Sequence, residues 1–241
     1  MNNLLPIKTV ITKTFKLVSK KEYLSMFFAI GTILSLVTYL SNMIFNYFIN
    51  LSINQFPPFL IIISLILCTF LYLYFFAFVL SFIYNFCLDI SVETTHNINY
   101  YITKSYNSGF LVLGSTVIFG LITFAGVILF LIPAIIWGVK YFFTPMISAL
   151  EGKKTKEALK ESKILVKGYF WQILLRLIVF YIVSSFPGII LSSINPNLTF
   201  IQTFFLPITS LFYVVLFNNL RYKNQIKQQP IQQPLQNTQR I

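Results

Sequence analysis

The sequence predicts an all-α membrane protein: a bundle of six transmembrane helices, arranged as three hairpins with amphipathic interfacial helices. Three observations carry that prediction. Charge is missing from very long stretches, with none between Tyr23 and Leu88, none between Leu177 and Leu220, and only Lys140 between Ser105 and Leu150. The basic residues gather instead between Lys8 and Lys21, between Lys153 and Lys167, and between Arg221 and Lys227. The composition is 56% hydrophobic and 10% charged, with a mean hydropathy of +0.76, whereas soluble domains carry about 25% charged residues. Uncharged runs of this length cannot clothe a soluble domain, but they can cross a bilayer. They are continuous rather than alternating, which disfavours a β-barrel.

A span needs about 20 apolar residues, and on that length the runs divide into spans at about 23–48, 59–87, 109–131, 133–150, 169–193 and 200–218. Asn50, Asn54 and the pair Pro57-Pro58 mark the first outer turn. Pro133 suits the first turn of the fourth span, where its missing N–H costs nothing. Glu151-Gly152 closes that span, and Asn195-Pro196-Asn197 marks the last outer turn. Residues 1–224 therefore form one membrane domain. The tail, 225–241, is rich in Gln, Pro and Asn, cannot bury a core, and is expected to be disordered.

The loops sort by charge. The turns near Ser52, Leu131 and Pro196 hold no Lys or Arg, so the positive-inside rule puts both termini in the cytoplasm. The net charge of +12 is then a membrane signal rather than a nucleic-acid one, because the lysines flank spans and face anionic lipid.

Two of the basic segments are periodic. Ile7, Val10, Ile11, Thr14, Phe15 and Val18 recur on one helical face, with Lys13, Lys16 and Lys20 opposite and Pro6 at the start. Ahead of the fifth span, Ala158, Leu159, Ser162, Leu165 and Val166 make one face and Lys156, Lys160, Lys163 and Lys167 the other, with Ile164 out of phase and Gly168 at the close. Both read as helices lying flat on an anionic inner leaflet. The segment from Ser91 to Tyr106 holds the same place before the third span, giving three units, each an interfacial segment and a hairpin.

The stretch from Gly126 to Trp171 carries a family resemblance. It has Leu-Ile-Pro at Leu131 to Pro133, a basic residue at Lys140, Pro145, an inner Glu151-Gly152, then Ala158, Leu159 and Ser162 leading to Val166, Lys167 and Gly168. With Leu206-Pro207 through Leu220-Arg221-Tyr222, it resembles the membrane domain of some bacterial glycerophosphoryl diester phosphodiesterases and of related stand-alone proteins. Ala134 stands where that family usually has Gly. The resemblance implies six helices and a bacterial plasma membrane. It implies no proven activity, because the role of that domain is itself obscure.

Enzyme chemistry is not expected. The catalytic barrel of those phosphodiesterases needs paired His, Glu and Asp residues around a metal, and this chain has one His and six acidic residues. Asp89, Glu93 and His96 fall on one helical face, with a Glu-x-x-His pair, but di-metal bundles need two such pairs. They read as a polar face on an inner loop, and no catalytic residue, metal or cofactor is expected. Cys68 and Cys87 read as packing residues. Ser184, Gly188 and Ser192, with Ala134 and Gly138, supply small residues for close helix contact, and Pro187 and Pro207 are expected to kink their helices.

Lys140 is the candidate site residue. It lies eleven residues before Glu151, about 16 Å deeper at 1.5 Å per residue, and should face the bundle interior. One reading makes it a structural lysine satisfying a kinked backbone, with Pro145 freeing the carbonyl of Tyr141. The other makes it an anion or lipid-headgroup site. Arg176 is expected to snorkel inward beside Tyr169 and Trp171. No carboxylate lies well inside a span, which argues against an ion-coupled carrier. The expected function is a non-enzymatic membrane scaffold or accessory protein that contacts anionic lipid or a protein partner. The alternative is a lipid or small-anion passage using Lys140.

Overall fold

The computed structural model describes residues 4, 6–55, 57–94, 96–194 and 203–228. Nine helices follow in order among them: α1 (Ile7–Val18), α2 (Lys21–Gln55), α3 (Pro58–Val92), α4 (Ile98–Leu129), α5 (Leu131–Tyr141), α6 (Thr144–Glu151), α7 (Thr155–Val166), α8 (Phe170–Ile194) and α9 (Leu206–Gln228). No strand occurs among the described residues. Six stretches are long and apolar enough to cross a membrane: one each in α2, α3, α4, α8 and α9, and α5 with α6 as a pair. The expected all-α bundle of an integral membrane protein is what the chain forms.

The surface is that of a protein solvated by hydrocarbon. Ile62, Ile63, Ile66, Leu67 and Phe70 of α3 all point outward, and Phe130, between α4 and α5, is 79% exposed. An apolar surface this extensive would aggregate in water. The interior is built around α9 and α6. Leu211, Phe212, Leu216, Phe217 and Leu220 of α9 are fully buried, as are Phe143 and Ile147. Phe180 stacks on Phe212 with ring centroids 3.7 Å apart, and Phe27 meets Phe86 edge-on at 5.7 Å. Every residue of α6 from Thr144 to Ala149 is buried, so this short helix is a plug among α3, α4 and α7.

Several boundaries differ from the sequence reading, for identifiable reasons. Helices α2 and α3 run 35 residues each, about 52 Å at 1.5 Å per residue, because the Asn and Ser residues after Phe48 do not stop a helix. Pro58 does: proline lacks a donor and bars the helical conformation to its predecessor. The segment from Ser91 to Tyr106 is no surface helix; it is the end of α3, a short loop and the first turns of α4. The three-unit pattern therefore fails in its middle member. The fourth span is broken at Phe142 and Phe143, just ahead of Pro145, which sits in the first turn of α6. Helix α9 carries on to Gln228, past the start of the expected tail; 229–241, and the turn at 195–197, lie outside the described residues. So do the side chains of Pro187 and Ser192.

Helices α4 and α5 are joined through a single extended residue, Phe130 (φ 176°, ψ 156°). The hairpin closes because Gly126 has no side chain: a Cβ there would meet the Cα of Ala134 at 2.7 Å and its nitrogen at 2.8 Å. This is the small-residue contact expected at Ala134. Gly126→Ala should destabilise the protein by about 1–3 kcal/mol, since backbone cannot yield as a side chain does. Gly120, on the same helix, has open space where a Cβ would stand, with nothing within 4 Å. It is the control: Gly120→Ala should melt at or above the parent temperature in detergent.

Candidate functional site

Contacts among the described residues bring the charged groups to one end of the bundle. Lys20, at the junction of α1 and α2, pairs with Glu93 at 3.2 Å. Asn218 of α9 donates to Ser91 at the end of α3 at 2.7 Å. Arg221, one turn on, pairs with Glu151 and Glu161. Helix α1 packs against α9 and α2, and α7 against α6, α4, α5 and α9.

Helices α1 and α7, expected to lie flat on lipid, pack one face on the bundle. Val10, Thr14, Leu17 and Val18 of α1 are buried, whereas Phe15 is 56% exposed. The buried stripe therefore runs through Leu17 instead of Phe15. On α7 the buried residues are Ala158, Ser162, Leu165 and Val166. Lys13, Lys16, Lys156, Lys160, Lys163 and Lys167 are exposed, while Lys20 is half-buried against Glu93. Docking on the bundle sets the direction in which these lysines point.

The break between α5 and α6 explains how α7 is held. In a continuous helix the carbonyl of Lys140 would receive the N–H of Thr144, and that of Tyr141 would face Pro145, which has none. Here the Lys140 carbonyl accepts a hydrogen bond from Ser162 Oγ on α7 at 2.9 Å. A backbone acceptor freed inside the protein thus finds a hydroxyl from the basic helix. Lys140 itself is half-buried, on a helix that packs against α7. A cavity of about 660 Å³ lies elsewhere, between α2 and α3, lined by Val37, Ser41, Asn42, Ser64, Cys68 and Tyr72 among others.

Four charges lock the plug to its neighbours. Lys153 bridges Glu151 (2.8 Å) and Glu161, and Arg221 reaches Glu151 and, at 2.9 Å, Glu161. The Arg221 guanidinium also lies 5.3 Å from the Phe217 ring centre. Burial works against the Glu161 carboxylate, yet the hydrogen bonds from Lys153 and Arg221 outweigh it and hold its pKa below the ordinary value. Hydrogen bonds to Glu151, then to Glu161, push the Lys153 pKa up.

The Asp89, Glu93 and His96 face does not survive. Helix α3 ends at Val92, and Glu93 takes a left-handed conformation (φ 60°) that turns it away toward Lys20. Asp89 and His96 do meet: His96 Nδ1 lies 2.7 Å from Asp89 Oδ2, which also accepts from Tyr101 OH at 2.9 Å. No metal-ligating cluster occurs among the described residues. Arg176 does not snorkel. It is 7% exposed and Tyr169 2%, whereas Trp171 is 72% exposed. Both cysteines are free, Cys87 buried and Cys68 exposed.

Sequence reasoning missed a buried polar seam. Ser81 Oγ and Ser108 Oγ lie 2.6 Å apart across α3 and α4, and Asn85 Nδ2 donates to the carbonyls of Ser81 (2.9 Å) and Ala149 (3.4 Å). The signal was legible: polar residues four apart on α3, and three apart on α4, inside otherwise apolar runs.

No family model, curated protein or solved structure matches this chain.

The Glu161 lock has a pH signature. A carboxylate whose pKa is lowered on folding stabilises the fold fully above its unfolded value of about 4.3, and that stability is lost as pH falls through the folded value. The melting temperature in detergent should therefore hold down to about pH 5 and fall below it. In Glu161→Gln the neutral-pH melting temperature should be lower and the acid drop smaller.

Proposed function

We propose that this protein is a non-enzymatic membrane scaffold or accessory protein whose basic end contacts anionic lipid of the inner leaflet. The observation that carries this reading is the docking of α1 and α7. Their apolar faces are occupied by the bundle, which turns Lys13, Lys16, Lys156, Lys160, Lys163 and Lys167 outward together. Exposed Phe15, Ile164 and Trp171 stand beside these lysines as interfacial anchors. Each lysine near an anionic surface adds about 1 kcal/mol of attraction. The charge asymmetry of the loops supports a cytoplasmic position for this end and for both termini. The resemblance to the phosphodiesterase membrane domain supports a bacterial plasma membrane.

Replacing Lys156, Lys160, Lys163 and Lys167 by Gln should leave the melting temperature in detergent unchanged, since none of the four pairs with a carboxylate among the described residues. The parent should be stabilised in phosphatidylglycerol nanodiscs relative to phosphatidylcholine, and the variant should lose most of that gain. Equal stabilisation of both proteins would reject the lipid contact. A reporter fused after Lys227 should read cytoplasmic.

The second reading, a lipid or small-anion passage, draws on the helix break beside Lys140, because interrupted helices build ligand sites in transporters. The cavity between α2 and α3 does not include Lys140 in its lining and lends this reading no support. Lys140→Met separates the two readings. Its backbone carbonyl, not its side chain, receives Ser162, so stability should be kept. Under the scaffold reading, anion flux in proteoliposomes is absent in parent and variant alike. A flux present in the parent and lost in Lys140→Met would establish the passage.

A further inference from the structure

We propose that Asn85, Ser105 and Ser148 form a binding site for one water molecule, which completes the hydrogen bonding between α3, α4 and α6. The argument begins with the Asn85 amide. Its Nδ2 is engaged with the Ser81 and Ala149 carbonyls and lies 3.4 Å from Ser81 Oγ. Its Oδ1 can only accept, and no group among the described residues donates to it. Asn85 is 1% exposed. The hydroxyls of Ser105 and Ser148, on residues with no exposure at all, likewise have no partner among the described residues. Buried polar atoms of this kind are rarely left unmet.

The three residues lie on helices that all pack against one another, α3, α4 and α6. Helices α3 and α4 run antiparallel and touch at Ser81 and Ser108. Asn85 lies four residues beyond Ser81 toward the end of α3, and Ser105 three residues before Ser108 toward the start of α4. Both steps go the same way along the helix pair, so Asn85 and Ser105 sit at one level. Ser148 adjoins Ala149, whose carbonyl Asn85 holds. That carbonyl is one of the last in α6 and has no donor to receive within its own helix.

The chemistry of the set selects its guest. One hydrogen must be donated to Asn85 Oδ1. The two hydroxyls can each give or take a hydrogen bond. A water molecule meets all three, donating to Oδ1 and pairing with both serines, and about three hydrogen bonds is the ordinary complement of a buried water. All three side chains are neutral. A bare cation would leave its hydration shell for dipoles alone, with no carboxylate in the set to offset the loss. The water would fasten α6 to α3 and α4, one short helix away from the break beside Lys140. The proposal rests on the packing of three helices and is independent of the lipid-contact reading.

The test uses the full chain in detergent or nanodiscs. A density map that resolves ordered solvent should show one peak within hydrogen-bonding distance of Asn85 Oδ1, and Asn85→Leu should lose it. The double variant Ser105→Ala/Ser148→Ala, which should fold even if Asn85→Leu does not, should melt about 2–4 °C below the parent. Melting temperatures of the parent in NaCl, KCl and choline chloride at equal ionic strength should coincide. A map with no peak, in which Oδ1 is met directly by a serine hydroxyl, overturns the site. A melting temperature raised selectively by sodium or potassium overturns water in favour of a cation.

Discussion

A helix interrupted within an apolar environment leaves carbonyl groups that water cannot reach, and every such group must find a donor in the protein. The charged end of this bundle follows from that constraint. Proline at position 145 ends the continuity of the fourth span, and the chain resumes as the short buried α6. The carbonyl released on one side of the break, that of Lys140, takes the Ser162 hydroxyl. The Ala149 carbonyl at the far end of α6 takes the Asn85 amide. Glu151, at the terminus of α6, is met by Lys153 and Arg221. Each tie recruits a different element, and together they draw α3, α7 and α9 around the plug.

The same ties decide what the basic helices do. Free amphipathic helices would lay their apolar faces on the bilayer. Here the Ser162 bond and the Arg221 lock hold α7 against α5, α6 and α9, while Asn224 donates to the Leu165 carbonyl at 3.2 Å. Helix α1 is held by burial of Val10, Leu17 and Val18. The lysines of both helices are left exposed. Under the proposed lipid contact, binding would require no ordering of the helices, which is the ordinary cost of a reversible interfacial helix.

Much of the candidate site was legible in the residues, and the rest was not for physical reasons. The periodicity of Lys156, Lys160, Lys163 and Lys167 against Ala158, Ser162 and Leu165 marked α7 and its two faces. Periodicity reports that a face is apolar, not whether lipid or protein covers it, so the docking of α1 and α7 lay beyond it. Lys140 stood out as a charge within a span, but its depth was inferred from a straight helix. The break and the approach of α7 alter its surroundings. Arg176 was placed by the direction of its side chain, and burial against neighbouring helices prevailed. Asp89, Glu93 and His96 were aligned on a helix that in fact stops at Val92.

What the sequence by itself determined is the class of solvent: uncharged runs of about 20 residues and more can be folded only as spans, and their number and their flanking lysines can be read directly, because insertion depends on local composition. What only the tertiary structure decided is which polar groups meet. Ser162 with Lys140, Asn85 with Ala149, and Arg221 with Glu151 and Glu161 are separated by 22 to 70 residues. Such pairings depend on how helices cross and where they break, and no local pattern of hydrophobicity encodes them.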